Sequence, residues 1–236
     1  MKFYDIGIRS SLSEGENSVG QIIESAEMFG FEGIVICDKP ENLKQLKEAI
    51  KIAQPKIEVH AGVRISAKDP KDMRDQVNRY REEATVVIVE GGDYDINRAA
   101  CENPKVDILS CPERGRIDSG LDEASIKLAS NNGVCIEINF SEVLHSYRRG
   151  RAYILSHMKT NVRLCHDLNA HIILCSGALT KWDMRDPREL VALGNVLGMD
   201  LNKSFDSLTT IPEHIVEKNK AKLEGKIITK GVEVVE

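Results

Sequence analysis

The sequence predicts an α/β fold, a distorted TIM-like (β/α) barrel of about seven parallel strands with peripheral helices, and two patterns carry that prediction. The first is the repeated alternation of short β-rich runs with amphipathic helical stretches, which implies a parallel sheet with right-handed crossovers, open or closed. The second is polar alternation inside three of the runs. Glu58, His60 and Arg64 share one face of 57–65, Cys135, Glu137 and Asn139 one face of 134–140, and Asp5, Gly7 and Arg9 one face of the first run. An open sheet covered by helices wants both faces apolar, whereas the inner face of a barrel accommodates a charged network.

Strands are expected at 3–8, 33–37, 57–65, 86–89, 106–109, 134–140 and 172–175, with helices between them at 19–29, 41–53, 70–83, 122–131 and 187–197. Pro70 and Pro187 stand where a helix begins, because proline has no amide hydrogen to lose in the first turn. Gly30 and Gly133 follow helical runs and read as their C-terminal stops. No run supplies an eighth strand, so the closure is expected to be irregular.

At 236 residues, with 42% hydrophobic and 29% charged side chains, residues 1–236 are expected to form a single barrel domain with a loosely ordered C-terminal tail from about 224. The chain opens without an apolar run of signal-peptide length and has no membrane-length segment, so a cytoplasmic protein is expected. Six cysteines without CxxC spacing read as structural thiols in a reducing compartment in preference to a zinc site. Neither a Walker-type phosphate loop nor an internal repeat is present.

Charge is unevenly placed. The whole chain carries -5, yet Arg148, Arg149, Arg151, Lys159 and Arg163 stand against Glu142 alone in 142–163, a local +4. Such a stripe points to an anionic partner met at one place, although a solvated helix face is the plainer alternative. On a helical wheel with Arg148 at zero, Lys159 falls at about 20 degrees, Arg163 and His145 at about 60 and Arg149 at about 100. Leu144, Tyr147, Leu155, Met158, Val162 and Cys165 take the neighbouring arc and are expected to bury. Arg151 falls among them and is expected to reach an acid or the barrel rim, and Gly150 marks a place for a helix break.

Two loops add candidates. In 176–188 the only tryptophan, Trp182, stands with Lys181, Arg185 and Arg188. Trp182 either stacks on a base, with Lys181 and Arg185 on phosphates, or packs under the loop while Arg185 pairs with Asp183 or Asp186; for Trp182 packing is the expectation. The loop 111–118 offers Arg114 and Arg116. Inside the barrel, Asp5, Glu58 and Glu137 are expected to face Arg9, Arg64 and His60 in a self-compensating ion network. The competing reading is an active site at the C-terminal mouth, where Asp38, Glu90, Cys111 and Ser176 follow their strands, though it is short of histidine for a metal hydrolase.

Taken in order, several motifs resemble one family: Tyr4-Asp5-Ile6, Gly33-Ile34-Val35-Ile36, Gly62-Val63-Arg64-Ile65, Val106-Asp107-Ile108-Leu109, Ile136-Glu137-Ile138-Asn139-Phe140, Ser156-His157-Met158 within the basic stripe, Ser176-Gly177-Ala178 and Asp183-Met184-Arg185-Asp186-Pro187. Together they resemble archaeal ribonuclease P protein component 3, homologous to a subunit of the eukaryotic enzyme, over about residues 2–198. The resemblance implies a distorted barrel related to the polymerase and histidinol phosphatase superfamily of metal-dependent phosphoesterases. Catalytic members of that superfamily carry His-x-His at the end of the first strand, where this chain has Asp5-Ile6-Gly7. It therefore implies a noncatalytic subunit without a cofactor of its own, which binds and stabilises the RNA that removes the 5′ leader from precursor tRNA with magnesium. The implied partners are ribonuclease P RNA, ribonuclease P protein component 2, the other protein subunits and, indirectly, precursor tRNA, with no membrane. The residues expected to bind RNA are Arg148, Arg149, Lys159 and Arg163, then Arg114, Arg116, Lys181 and Arg185, with Arg64 and Arg151 serving either rim or RNA. A metal-dependent phosphoesterase using the lumen is the alternative.

Overall fold

Seven parallel strands in strict chain order make the sheet of the computed structural model, which describes residues 2–229 and 232–233. They are β1 Tyr4–Ile8, β2 Gly33–Asp38, β3 Glu58–Ile65, β4 Val86–Glu90, β5 Ile108–Ser110, β6 Cys135–Asn139 and β7 Ile172–Cys175. Ten α-helices alternate with them or follow them: α1 Val19–Met28, α2 Leu43–Ala53, α3 Pro70–Tyr80, α4 Tyr94–Glu102, α5 Glu123–Asn132, α6 Phe140–Leu144, α7 Arg148–Asp167, α8 Pro187–Val196, α9 Leu201–Asp206 and α10 Thr210–Leu223. A short antiparallel pair, β8 Ile227–Thr229 with β9 Val232–Glu233, lies in the stretch expected to be a loose tail, and the rest of that tail, 230, 231 and 234–236, lies outside the described residues. Among the described residues no helix is long and apolar enough to cross a membrane.

Local signals explain most element starts. Ser18 and Gln21 form a reciprocal capping box on α1. The carboxylates of Asp69 and Asp186 cap α3 and α8 ahead of Pro70 and Pro187, and Gly133 ends α5 in the left-handed conformation. Helix α4, which the sequence pattern did not single out, starts on Asp93, whose side chain accepts from the Asp95 and Ile96 amides.

The strands bury on both faces. Outward residues such as Ile36, Val63, Val87, Leu109, Ile136 and Leu174 pack on helix residues including Ile22, Leu46, Met73, Val77, Ile126, Met158 and Leu190. Inward residues Ile6, Val35, Val86, Ile88, Ile108 and Ile173 form a separate cluster with Ile215 and Val216 of α10. Each such side chain contributes about 1.5–3 kcal/mol by leaving water. Helix α10 thus closes the N-terminal end of the lumen, where Tyr4 N also donates to Leu208 O (2.8 Å) and Asn219 Nδ2 to the Asp107 carboxylate (2.9 Å).

No ladder joins β7 to β1. Loop contacts bridge the gap: Arg9 N donates to Ala178 O (3.0 Å), Glu16 N to Leu179 O (2.8 Å) and Ser176 N to Asp5 Oδ1 (2.9 Å). A register irregularity between Ile6 and Ile8, with Gly7 at φ +95°, bends β1 at this seam.

An occupied lumen and a candidate nucleic-acid interface

The lumen does not hold the single six-membered network expected from the sequence. An apolar layer splits it into two levels. Toward the mouth, Arg64 is only 4% exposed, donates to Ser110 Oγ (2.7 Å) and pairs with Glu137 (3.4 Å) and Glu90 (3.9 Å). Burial raises the Glu137 carboxyl, but the Arg64 charge and donors from Ser110, Cys175 and Asn139 outweigh it and hold it below its ordinary value. At the opposite end His60 lies 3.7 Å from Glu58, which accepts from Tyr4 Oη (3.0 Å). Arg9 does not meet Asp5. It pairs with Glu14 (3.3 Å) and donates to Gly177 O (3.0 Å), while burial pushes Asp5 up to about 6 against the bonds it accepts from Ser176.

The mouth leaves little for a metal to bind. Asp38 accepts from the Ser10 amide and the Ser10 and Ser13 hydroxyls, and Glu90 is shared by Arg64 and Arg114. Burial drives the Cys111 and Cys175 thiols well above their usual range, so they stand as neutral donors beside Glu137. Among the described residues no three His, Cys, Asp or Glu side chains are grouped to hold an ion. The space between Arg9, Arg64, Lys39 and Glu90 is about 20 Å³, room for one water. A divalent cation would have to displace a guanidinium from Glu90 or Glu137 and the serine donors from Asp38, so the donor set does not fit one, and the phosphoesterase alternative loses its site.

The basic stripe is built differently from the wheel. The helical path breaks at 145–147, ahead of Gly150, with Tyr147 extended (φ -130°, ψ 148°) and Arg148 at φ +47°, and Gly150 lies inside α7. Met158, Val162 and Cys165 bury as expected, but Tyr147 is 76% exposed because it precedes the helix. Residues 148–153 are all exposed, so the first turns of α7 stand clear of the barrel at its C-terminal rim, where α6 leaves β6. Lys159 and Arg163 continue the same flank beside an open groove that they line with Ser156, Thr160 and Asp200. Among the described residues Arg151 reaches no acid. Its guanidinium donates to Ser146 O (3.0 Å) and Leu144 O (3.3 Å), fastening α6 to α7.

The second constellation lies against this corner. His145 Nε2 is 3.5 Å from Asp183 Oδ1, and the Arg185 guanidinium sits over the Phe140 ring at 4.9 Å. Gly177, at φ +59°, lets the loop after β7 pass so close to Asn139 that an added Cβ would lie 2.0 Å from its Oδ1. The packing reading of this loop fails on both its points. Trp182 is 77% exposed, because Asp183 turns inward to accept from Leu179 N (3.2 Å) and Thr180 N (2.9 Å) and leaves the indole outside. Arg185 pairs with neither Asp183 nor Asp186 and bonds instead to Trp182 O and Met184 O (2.7 Å each).

The ten candidate cations therefore divide. Arg64 is enclosed, Arg114 is held by Glu142 (2.9 Å) and Glu90 (3.6 Å), and Arg116 is bound by both oxygens of Asp118 (2.6 and 3.0 Å). Arg151 and Arg185 are taken by carbonyls. Among the described residues Arg148, Arg149, Lys159, Arg163 and Lys181 have no carboxylate within ion-pair distance, and they share the surface with Tyr147, Tyr153 (64% exposed) and Trp182. The wheel placed Tyr147 among buried positions and took no account of Tyr153; an Arg-rich context was their one sequence signal.

Fold and site together define a seven-stranded (β/α) barrel whose lumen is filled by its own apolar layer and ion pairs, and whose unpaired candidate cations lie on one outer flank. In fold it is similar to histidinol phosphate phosphatase from Lactococcus lactis, with a TM-score of 0.58 at 13% identity over 86% of this chain and 94% of that one. Residues 2–224 match the family described as RNase P subunit p30, and the chain belongs to that family. Ribonuclease P protein component 3 of Methanosarcina acetivorans is 33% identical over 235 residues, spanning 100% of this chain and 96% of that protein. A chain in the cryo-EM structure of archaeal ribonuclease P with mature tRNA superposes with a TM-score of 0.81 at 27% identity, covering 99% of this chain and 98% of its own.

Proposed function

We propose that this chain is a noncatalytic protein subunit of ribonuclease P that binds and stabilises the catalytic RNA removing the 5′ leader from precursor tRNA. Its partners are ribonuclease P RNA, ribonuclease P protein component 2 and the other protein subunits, and it meets precursor tRNA indirectly. The RNA brings the magnesium and performs the cleavage. One observation carries the reading from this chain's own residues: on a protein of net charge -5, Arg148, Arg149, Lys159 and Arg163 lie exposed along a single helix without acidic partners among the described residues. The likeness to archaeal ribonuclease P supports it independently.

A folded RNA concentrates phosphates that repel one another. Cations spread over about 22 Å of helix neutralise several at once and release their counterions. Affinity then depends steeply on salt and weakly on sequence. The reading is tested by Arg148→Glu combined with Lys159→Glu in the full chain, titrated with ribonuclease P RNA across a salt series. Affinity is expected to fall at least about tenfold at low salt, and the log-log salt slope to shrink by roughly 2. An unchanged affinity and slope would remove this flank from the interface. In reconstituted enzyme, adding the wild-type chain is expected to lower the magnesium concentration needed for precursor tRNA cleavage, and the doubly reversed variant to lose that effect.

A further inference from the structure

We infer that the rim beside α7 carries a stacking platform for an unpaired nucleobase, with Trp182 as the ring and Lys181, Arg148 and Arg149 as contacts for the flanking phosphates. This rests on the RNA-binding reading and narrows it to single-stranded or looped-out RNA at this end of the flank.

Trp182 is not left outside by a slack loop. Its own amide donates to Thr180 Oγ1 (3.2 Å), its carbonyl accepts from Arg185 (2.7 Å), and Lys181 N donates to Asn17 Oδ1 (2.7 Å). Asp183, 6% exposed, holds the turn from inside. A fixed backbone therefore presents an indole that is 77% exposed, a large apolar area kept in water. Lys181 Nζ stands over one face of the ring, 4.9 Å from its centroid, so a base would stack on the opposite face with this positive charge at hand for a flanking phosphate. Through Asp183 and His145 the loop is tied to the corner where Tyr147, Arg148 and Arg149 are exposed.

The charge pattern selects the partner. Nearby acids are spent inside the protein: Asp183 on loop amides and His145, Glu142 on Arg114, and Asp186 on the Arg188 amide. What faces outward is aromatic and cationic, the combination that tracks a polynucleotide backbone while bases stack. A duplex hides its base faces within its own stack and offers the indole nothing, whereas an unpaired base offers a whole face.

Because Trp182 is the only tryptophan, its emission reports this position alone. The full-length protein is titrated with a single-stranded oligoadenylate of about twelve nucleotides and with an RNA duplex of equal phosphate number. The single strand is expected to quench the emission and the duplex to leave it nearly unchanged. Trp182→Ala is expected to weaken single-strand binding roughly tenfold or more and to spare duplex binding, with Trp182→Phe restoring most of the loss. Emission that stays constant at saturating single strand, or an equal effect of Trp182→Ala on both RNAs, overturns the platform while the RNA-binding reading stands. If neither RNA binds wild-type protein, the RNA-binding reading falls and takes the platform with it. If Trp182→Ala spares RNA affinity but abolishes association with the partner protein subunits, the indole is a protein anchor and base stacking is overturned.

Discussion

At the scale of single residues, Glu113 is the most exposed to a change of pH, although it is hidden from solvent. Both its carboxyl oxygens are buried without a hydrogen-bond partner among the described residues, and burial pushes it up to about 8. In the unfolded chain a glutamate titrates near about 4.3. The folded value is raised, so the stability tied to the neutral form is complete below the unfolded value and is lost as pH rises toward and through about 8. Asp5, raised to about 6 by burial, acts in the same direction over a lower range. Chemical denaturation of wild type is therefore expected to give a lower midpoint near pH 8 than near pH 5, with each unit of separation worth about 1.4 kcal/mol at most. Glu113→Gln is expected to remove most of that fall above pH 6; a variant with the wild-type pH profile would show that Glu113 ionises without penalty. Residue types were legible in the sequence, but their engagement was not. Arg116 has its acid two positions away, a pairing that reading along the chain can find. Arg114 takes Glu142, 28 positions on, and Arg64 takes Glu137, 73 positions on, and only the closed barrel brings those groups together.

At the scale of elements, the period of α7 was readable where the helix packs and failed where it begins. Met158, Val162 and Cys165 follow the 3.6-residue repeat because the barrel wall fixes their direction. Tyr147 and His145 do not, since the chain turns out of α6 at 145–147 and restarts at Arg148. No glycine or proline marks that turn; Arg151 secures it by donating to the Leu144 and Ser146 carbonyls. This gives Arg151 a positioning role that charge alone cannot replace. Arg151→Lys keeps the positive charge but has a single ammonium in place of the planar fork. It is expected to raise amide hydrogen exchange over 144–150 and to weaken RNA binding a few-fold with the salt slope unchanged. A loss of slope equal to that of a phosphate contact, with exchange unaltered, would assign Arg151 to the RNA instead.

At the scale of the whole molecule, strand order was legible because each β-rich run and the helix after it form a local unit, and right-handed crossovers leave few ways to string such units together. Closure was not. It depends on α10, whose apolar residues Ile211, Ile215 and Val216 are sparse in sequence and whose target, the lumen floor, does not exist until seven strands have assembled. The tie between floor and wall is polar: Asp107 accepts from Asn219 Nδ2 (2.9 Å) across 112 positions, and also from Arg81 (2.5 Å) and Val87 N (2.8 Å). Arg81 in turn donates to the carbonyls of Ala84, Thr85 and Lys105. Asn219→Ala leaves one carboxylate oxygen without its donor and is expected to cost about 1–3 kcal/mol. Asp107→Ala leaves the Arg81 guanidinium buried among carbonyls alone and is expected to cost roughly 3 kcal/mol or more. If α10 belongs to the cooperative barrel, the double variant loses less than the two single losses together, with a coupling of about 0.5–3 kcal/mol in urea denaturation. If α10 instead opens by itself, Asn219→Ala leaves the main transition in place and abolishes hydrogen-exchange protection only over Thr210–Leu223, making the helix a detachable lid on a barrel that stands without it.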